Sequence, residues 1–221
     1  MIQILILLSS IHYFDVGLTY DDGPTNESHK LIEYLRDEKI TAMFFPTGLN
    51  LQWDENYLSE LLIKKQEVGN HTYSHLELDK APIKKIDAEF TRQHEILVRA
   101  GFSVKFFRYP SGKPSKRLKY LLKKYNYDGI ADWDVATGDI FKKTDDQIIY
   151  LIDRAINKKL LKQNFDLIIL FHDCSAGVLR RTRKLVQFIK IKNLNSSLMD
   201  KGVVFYQLSS PAEIFKRRLV E

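Results

Sequence analysis

Residues 14–24 read Phe-Asp-Val-Gly-Leu-Thr-Tyr-Asp-Asp-Gly-Pro, a short apolar run that ends in two adjacent carboxylates and a turn dipeptide. The part from Val16 to Tyr20 has the length and the residue types of a buried strand. Gly23-Pro24 predicts a tight turn directly after it. Asp21 and Asp22 therefore stand at the carboxyl end of a strand, where (β/α) barrels carry their catalytic groups.

Further apolar runs alternate with stretches of helical periodicity along the chain. The strand-like runs are residues 41–45, 104–107, 129–131, 167–171 and 203–206. The helical stretches are residues 29–38, 55–65, 82–100, 114–125 and 145–161. This alternation indicates a parallel sheet, either a barrel or a doubly wound fold. At least six such units, without an internal repeat or a linker, favour a barrel within one α/β domain.

The composition is that of an ordinary globular domain. The 221 residues are 44% hydrophobic and 28% charged, and 34 basic against 28 acidic residues give a net charge of +6. The densest basic clusters, residues 180–184 and 216–218, are typical of solvated helix faces, and no nucleic-acid recognition motif accompanies them. We therefore expect no nucleic-acid partner. The single cysteine, Cys174, excludes an intramolecular disulfide and a cysteine-based zinc site.

Residues 1–13 have two interpretations, a signal peptide or an N-terminal strand of the fold. The apolar stretch from residue 2 to residue 11 is too short for a transmembrane helix, so we expect no membrane span. It has the length of a signal-peptide core but no preceding lysine or arginine. Because residues 14–20 already read as a complete first strand, we favour a secreted or cell-wall-associated protein with a domain at residues 14–221. A cytoplasmic location stays open.

Polar clusters follow five of the apolar segments. They are Asp21-Asp22-Gly23-Pro24, His71-Thr72-Tyr73-Ser74-His75, Arg108-Tyr109-Pro110-Ser111-Gly112, Trp133-Asp134 with the later Asp139, and His172-Asp173. The carboxyl ends of parallel barrel strands share one mouth, so we expect these clusters to converge there.

The histidine pair suggests a metal site. His71 and His75 are four residues apart, and on a helical turn both rings would share one face. Such a pair alone is often only a solvated face. With Asp22 as a third ligand it becomes a two-histidine, one-carboxylate set suited to zinc or a neighbouring divalent ion. Asp21 would then stay free as a base. The alternative is that residues 21–24 form only a turn that caps the next helix.

The ordered set of these motifs resembles the polysaccharide deacetylase family, also called carbohydrate esterase family 4. The resemblance runs from about residue 14 to about residue 208. It implies a distorted, incomplete (β/α) barrel of about seven strands in one domain. It also implies a metal-dependent hydrolase that removes N-acetyl groups from a β-1,4-linked N-acetylglucosamine polymer, such as chitin or peptidoglycan glycan.

The resemblance further implies roles for individual residues at the metal centre. Asp22, His71 and His75 would hold zinc, with cobalt as the other usual ion. Asp21 would be the general base that acts on water. Arg108 would pair with Asp21 and keep it ionised and oriented.

It likewise implies an acid and a set of substrate contacts. His172 would protonate the leaving amine, and Asp139 would support its charged form. The backbone N–H of Ser111 would stabilise the oxyanion, and Leu170 would line the acetyl pocket. If the substrate is a sugar polymer, we expect stacking surfaces at the mouth from four aromatic residues: Trp53, Tyr73, Tyr109 and Trp133.

Four positions depart from the family pattern. Tyr20 is a mild change, and the other three alter the predicted walls of the substrate site: Ser111, Ala136 and Ile140. Two alternatives follow, a catalytically silent metal-containing carbohydrate-binding protein and an O-acetyl xylan esterase with the same mechanism. Retention of the base, the acid and their charged partners favours an active enzyme. The expected partner is an N-acetylated glycan, and the sequence does not indicate an oligomeric state.

Overall fold

The computed structural model describes residues 11–194 and 203–220. Its strands are β1 (Ile11–Asp21), β2 (Met43–Phe45), β3 (Glu67–Val68), β4 (Phe106–Phe107), β5 (Gly129–Ile130), β6 (Val135–Ala136), β7 (Asp166–His172) and β8 (Val203–Leu208). Its α-helices are α1 (Ser28–Asp37), α2 (Gly48–Leu51), α3 (Tyr57–Ile63), α4 (Ile83–Arg99), α5 (Lys119–Lys124), α6 (Asp145–Leu161), α7 (Val178–Leu194) and α8 (Pro211–Arg218).

The strands form one parallel arrangement centred on β1. The carboxyl-terminal part of β1 pairs with β2, its residues 15–21 pair with β7, and its residues 11–16 pair with β8. β3 extends the sheet beyond β2, and β6 extends it beyond β7. β4 and β5 form a two-stranded piece that an isolated bridge between Asn70 and Phe107 joins to the rest. The prediction of a single α/β domain with a distorted, incomplete barrel is confirmed.

Alternate residues of the strands pack on opposite sides of the sheet. In β1, Val16, Leu18 and Tyr20 belong to the large apolar cluster that includes the helices. A smaller cluster contains Met43, Phe45, Phe106, Ala131, Ile168, Ile214 and Phe215. The last two belong to α8, in which Ile214 lies close to Gly17 near the middle of β1 and Arg218 pairs with Asp166, the first residue of β7. α8 therefore covers the amino-terminal end of the strands and leaves their carboxyl ends for the site.

Of the long helices that the structure describes, α4 and α6 match their predicted bounds closely, and no bounds were predicted for α7. α6 spans the predicted residues, and Thr144 and Gln147 cap it with a reciprocal pair of hydrogen bonds. α4 lies within one residue of the predicted bounds, after Pro82. The predicted helix at residues 114–125 is only partly correct, because a 3₁₀ turn at Lys116–Leu118 precedes the short α5. α7 and α8 contain the two basic clusters noted in the sequence.

The first strand begins earlier than predicted. β1 starts at Ile11, within the segment that we considered as a signal peptide, and its first residues pair with β8. Residues 1–10 lie outside the described residues, so the boundary at residue 13 stays a prediction. Among the residues that the structure describes, no helix is long and apolar enough to cross a membrane.

Candidate active site at the carboxyl ends of the strands

Three side chains from two loops converge after β1 and β3. Asp22 Oδ1 lies 3.5 Å from His71 Nε2 and 3.5 Å from His75 Nε2. Their ligand atoms all lie within 4.8 Å of one another. Asp22 Oδ1 is buried and accepts no hydrogen bond within the described part of the chain. A buried carboxylate oxygen without a donor is costly unless a cation compensates it, so this set fits a divalent metal ion.

The hydrogen bond and the burial of His71 leave its Nε2 atom unprotonated and able to bind a metal. Its Nδ1 lies 2.9 Å from the backbone carbonyl of Arg108, so Nδ1 carries the proton and donates it there. The lone pair of Nε2 therefore points toward Asp22. Burial lowers the pKa of His71 to about 3, which keeps the ring neutral near pH 7. A neutral imidazole is the form that binds a metal.

The two histidines do not lie on a helical turn, the arrangement under which their spacing alone would bring both rings to one face. Residues 71–76 form an irregular loop in which Thr72 and His75 have φ angles of 67° and 58°. Asn70 Oδ1 accepts a hydrogen bond from the backbone N–H of Thr72 at 2.9 Å, which replaces the helical pattern. Left-handed backbone at a β-branched residue is strained and is concentrated at functional sites.

Asp21 and Asp22 both border His71 Nε2, at 3.8 and 3.5 Å, but their other contacts differ. The φ angle of Asp22 is 69°, so the chain turns sharply at the end of β1. Asp21 Oδ1 accepts a hydrogen bond of 2.8 Å from Arg108 Nη1. Arg108 is fully buried, donates through Nε to the carbonyl of Ala131 at 2.8 Å, and lies over the ring of Phe45 at 4.1 Å. The guanidinium is therefore fixed in one orientation beside Asp21.

Burial and the arginine act on Asp21 in opposite senses. Burial raises the pKa of the Asp21 carboxyl, and the charge and hydrogen bond of Arg108 lower it without fully offsetting the burial. The resulting pKa of Asp21 is above its ordinary value. A cation at the neighbouring Asp22 would favour the ionised form further.

His172 and Asp139 form a second pair. His172 Nδ1 lies 2.9 Å from Asp139 Oδ1, and the backbone N–H of His172 donates to Asp139 Oδ2 at 2.9 Å. Burial by itself lowers the pKa of His172, but the hydrogen bond and charge of Asp139, together with Asp21 and Asp22, outweigh it. The pKa of His172 is therefore raised. This arrangement suits an acid that is protonated near neutral pH.

Asp173 does not lie at the mouth beside His172, contrary to the prediction. It is fully buried, and it accepts hydrogen bonds from Tyr57 Oη at 2.7 Å and Ser28 Oγ at 2.9 Å. Its backbone N–H donates to the carbonyl of Asp21 at 2.7 Å. Asp173 therefore ties the end of β7 to the end of β1, a role that its place next to a histidine did not reveal.

The packing around Asp173 leaves no room for a side chain at Gly23. A Cβ at Gly23 would lie 2.1 Å from Asp173 Oδ2. We expect Gly23→Ala to destabilise the protein by about 1–3 kcal/mol, since the buried carboxylate has no free space to move into. Thermal unfolding tests this, with Gly129→Ala as the control, because there the Cβ meets only the end of the flexible Leu219 side chain. Equal melting temperatures for the two variants would contradict it.

The predicted substrate residues differ in how far they are buried. Leu170 is buried two residues before His172 in β7, so both side chains lie on the same face of that strand. Ser111 is exposed with a φ angle of 55°. Trp133 is half-buried and its ring borders Gly112, while Tyr109 is half-buried with its ring edge-on to Phe107.

Of the other two aromatic residues, only Trp53 is open to solvent. Trp53 is 84% exposed in the loop after α2. Tyr73 is buried, with the guanidinium of Arg92 3.5 Å from its ring centroid and Gln52 donating to its hydroxyl. The expectation that Tyr73 provides a stacking surface was therefore wrong.

Comparison with known proteins decides the family. The model of the polysaccharide deacetylase family matches residues 13–130, more than half of the chain. The chain belongs to the polysaccharide deacetylase family. The matched range contains the carboxylate pair, the histidine pair and Arg108, whereas the pair formed by His172 and Asp139 lies beyond it.

Individual relatives agree with this membership. A peptidoglycan-N-acetylglucosamine deacetylase from Bacillus cereus is 33% identical over 127 residues, which are 57% of this chain and 46% of that relative. The chain thus matches less than half the length of that polysaccharide deacetylase.

Solved structures show the same fold. A family 4 carbohydrate esterase from Streptomyces lividans in complex with acetate has a TM-score of 0.72 at 24% identity, covering 90% of this chain and 94% of its own. A pseudoenzyme of the same esterase family from Bacillus anthracis has a TM-score of 0.71 at 20% identity, covering 91% and 74%. The polysaccharide deacetylase fold therefore occurs in proteins described as an esterase and as a pseudoenzyme.

Proposed function

We propose that this protein is a metal-dependent hydrolase that removes N-acetyl groups from a β-1,4-linked N-acetylglucosamine polymer, either chitin or peptidoglycan glycan. The observation that carries the proposal is the buried Oδ1 of Asp22. It accepts no hydrogen bond from the described residues and faces the Nε2 atoms of His71 and His75. Family membership supplies the reaction class. Such a polymer substrate agrees with a secreted or cell-wall-associated protein.

The three ligand residues suit zinc, and cobalt accepts the same donors. An ion bound there would supply a Lewis acid for the acetyl carbonyl and make a water molecule acidic enough to attack it at neutral pH. Asp22 and the two histidines supply one oxygen and two nitrogens. Three protein ligands leave coordination positions open, as catalytic sites require.

Asp21 is placed to take a proton from the attacking water. Its Oδ2 lies 3.8 Å from His71 Nε2, so this second carboxylate borders the metal ligands. Its other oxygen is held by Arg108, which fixes the carboxylate in position. A base within hydrogen-bond reach of the water contributes typically about 10²–10⁴-fold to the rate.

His172 is placed to give a proton to the departing amine nitrogen. The proton on Nδ1 is donated to Asp139, which leaves Nε2–H of the charged ring free to act as the acid. When the C–N bond breaks, this proton converts a poor leaving group into a neutral amine. The N–H of Ser111 would donate to the oxyanion, and Leu170 would contact the acetyl methyl group.

The proposed acid, His172, also helps to decide between an N-deacetylase and the two alternative functions, an O-acetyl esterase and a silent binding protein. An O-acetyl esterase releases an alcohol, which depends less on full protonation than an amine does. A silent binding protein needs neither a base nor an acid. The raised pKa of His172 and the anchored pair of Asp21 and Arg108 therefore favour an active N-deacetylase.

Acetate release from N-acetylglucosamine oligomers tests the proposal. The protein would be assayed with added zinc or cobalt and with a chelator as the control. We expect release that requires the metal. No release from these oligomers, from peptidoglycan glycan or from acetylated xylan, with metal bound, would favour the silent binding protein.

A separate prediction concerns the metal ligands. We expect His75→Ala to weaken zinc affinity by at least about tenfold, because a ligand nitrogen is removed while Asp22 and His71 stay in place. Isothermal titration calorimetry of the metal measures this directly. His29→Ala is a matched control, since His29 pairs with Asp54 and Glu60 and not with the proposed ligands. Unchanged affinity for His75→Ala would exclude it as a ligand.

A further inference from the structure

Residues 96–127 contain nine lysine or arginine residues and no aspartate or glutamate. This range includes the loop of Arg108 and Ser111 and continues through the 3₁₀ turn into α5. Three of its exposed lysines, Lys116, Lys119 and Lys123, form what we call the basic strip. The strip is thus the continuation of a loop that contributes to the site.

The basic strip differs from the other basic clusters, because its three lysines form no ion pairs within the described part of the chain. In the clusters of α7 and α8, Lys184 pairs with Asp146 at 2.6 Å and Arg218 pairs with Asp134 at 2.6 Å. In the described part of the chain, none of the three strip lysines has a carboxylate within ion-pair distance: Lys116, Lys119 and Lys123. The strip therefore carries net positive charge into solvent.

Acidic side chains from other segments also reach this range. Lys113 pairs with Glu77 at 2.6 Å, before the strip begins. After burial, the charge and hydrogen bond of Asp87 raise the pKa of Tyr120, which lies between Lys119 and Lys123 in sequence, so Asp87 borders the strip itself. The three strip lysines outnumber this one carboxylate. An anion brought from outside would thus find cations that are not already neutralised.

The location of the strip connects it to the mouth. Gly112 lies against the ring of Trp133, and the guanidinium of Arg108 lies 5.5 Å from that ring centroid. Lys116 follows Gly112 by four residues, and α5 then carries the strip away from the mouth. Four residues of chain span at most about 14 Å, so sugars next to one over Trp133 would come within reach of Lys116, the first lysine of the strip.

We propose that the basic strip binds carboxylate groups of the same glycan strand whose acetyl group enters the mouth. The inference rests on the proposed function and narrows its substrate class to an acidic N-acetylated glycan rather than a neutral one. Charge complementarity raises the encounter rate and the affinity for such a strand. Each deacetylation adds a positive amine to the strand, so the strip also weakens the binding of product.

Two matched oligomers test the proposal. One is a hexamer of N-acetylglucosamine, and the other alternates N-acetylglucosamine with N-acetylmuramic acid, whose lactyl group carries a carboxylate. We expect kcat/KM for the acidic hexamer to fall about tenfold between low and high salt, and the neutral hexamer to change little. Lys116→Gln/Lys119→Gln/Lys123→Gln should cause a similar loss at low salt for the acidic hexamer alone, through KM.

The control has the same loss of charge at the other end of the barrel: Lys158→Gln/Lys162→Gln/Lys216→Gln. It should retain the preference for the acidic hexamer. Equal loss in the two triple variants, or an equal effect on the neutral hexamer, would overturn the proposal while leaving deacetylation intact.

Binding of a fluorescent acidic hexamer separates this proposal from the proposed function. If no hexamer is deacetylated but binding remains salt-sensitive and is lost only in the strip variant, the function fails and the strip assignment stands. The binding measurement is repeated with two other polyanions, single-stranded DNA of similar charge and anionic lipid vesicles. Tighter strip-dependent binding of either would overturn the assignment to a glycan.

Discussion

Asp21→Asn is expected to lower kcat for acetate release by about 10³-fold or more, with the metal still bound. The substitution keeps the oxygen that accepts the hydrogen bond from Arg108 Nη1 but removes the proton acceptor. A general base contributes up to about 10⁴-fold, and this carboxylate is buried where water cannot easily replace it. The measurement is acetate release under saturating substrate, with metal content determined on the same sample.

The matched control is Asp128→Asn, which removes an exposed carboxylate. We expect it to leave the rate unchanged. Zinc affinity of Asp21→Asn should also stay near that of the native protein, because the proposed ligands are Asp22, His71 and His75. Near-native turnover of Asp21→Asn would remove it as the base. Loss of the metal together with turnover would instead make Asp21 a ligand.

Local periodicity explains why much of the fold could be predicted from the sequence. α4 and α6 each bury one face at helical spacing, and their ends carry proline or a capping box. β1 and β7 are buried runs bounded by polar residues. Their parallel register brings Asp21 opposite His172, so both residues stand at the same end of the sheet. That convergence follows from the topology alone.

Two other features of the site are not encoded in the spacing of residue types. The loop of His71 and His75 has left-handed residues because Asn70 bonds to its backbone, and a spacing of four could not distinguish this from a helix. Asp173 points inward because Ser28 and Tyr57 meet it there. Each of these side chains comes from a segment far away in sequence. Tertiary structure overrides local pattern at such positions.

His172→Ala is expected to lower kcat by about 10²–10⁴-fold while KM changes little. A general acid acts in the transition state, where the amine leaves, and contributes little to the binding of substrate. An ester substrate with a good alcohol leaving group should lose less activity than the amide, because it depends less on the acid. A variant with normal kcat and raised KM would show that His172 only binds sugar.

The dependence of kcat on pH tests the proposed role of the pair formed by His172 and Asp139. The raised pKa of His172 means that the ring stays protonated to a higher pH than an ordinary histidine. We therefore expect activity to fall as the pH rises through that pKa. Asp139→Asn removes the charge that supports the imidazolium, so the alkaline limb of kcat should move to lower pH. Asp146→Asn, an exposed aspartate near the start of α6, is the control and should leave the limb in place. A merely structural loss would lower kcat at every pH alike. A shifted alkaline limb with retained activity at low pH therefore assigns the proton to His172. An unshifted limb assigns the proton to another group.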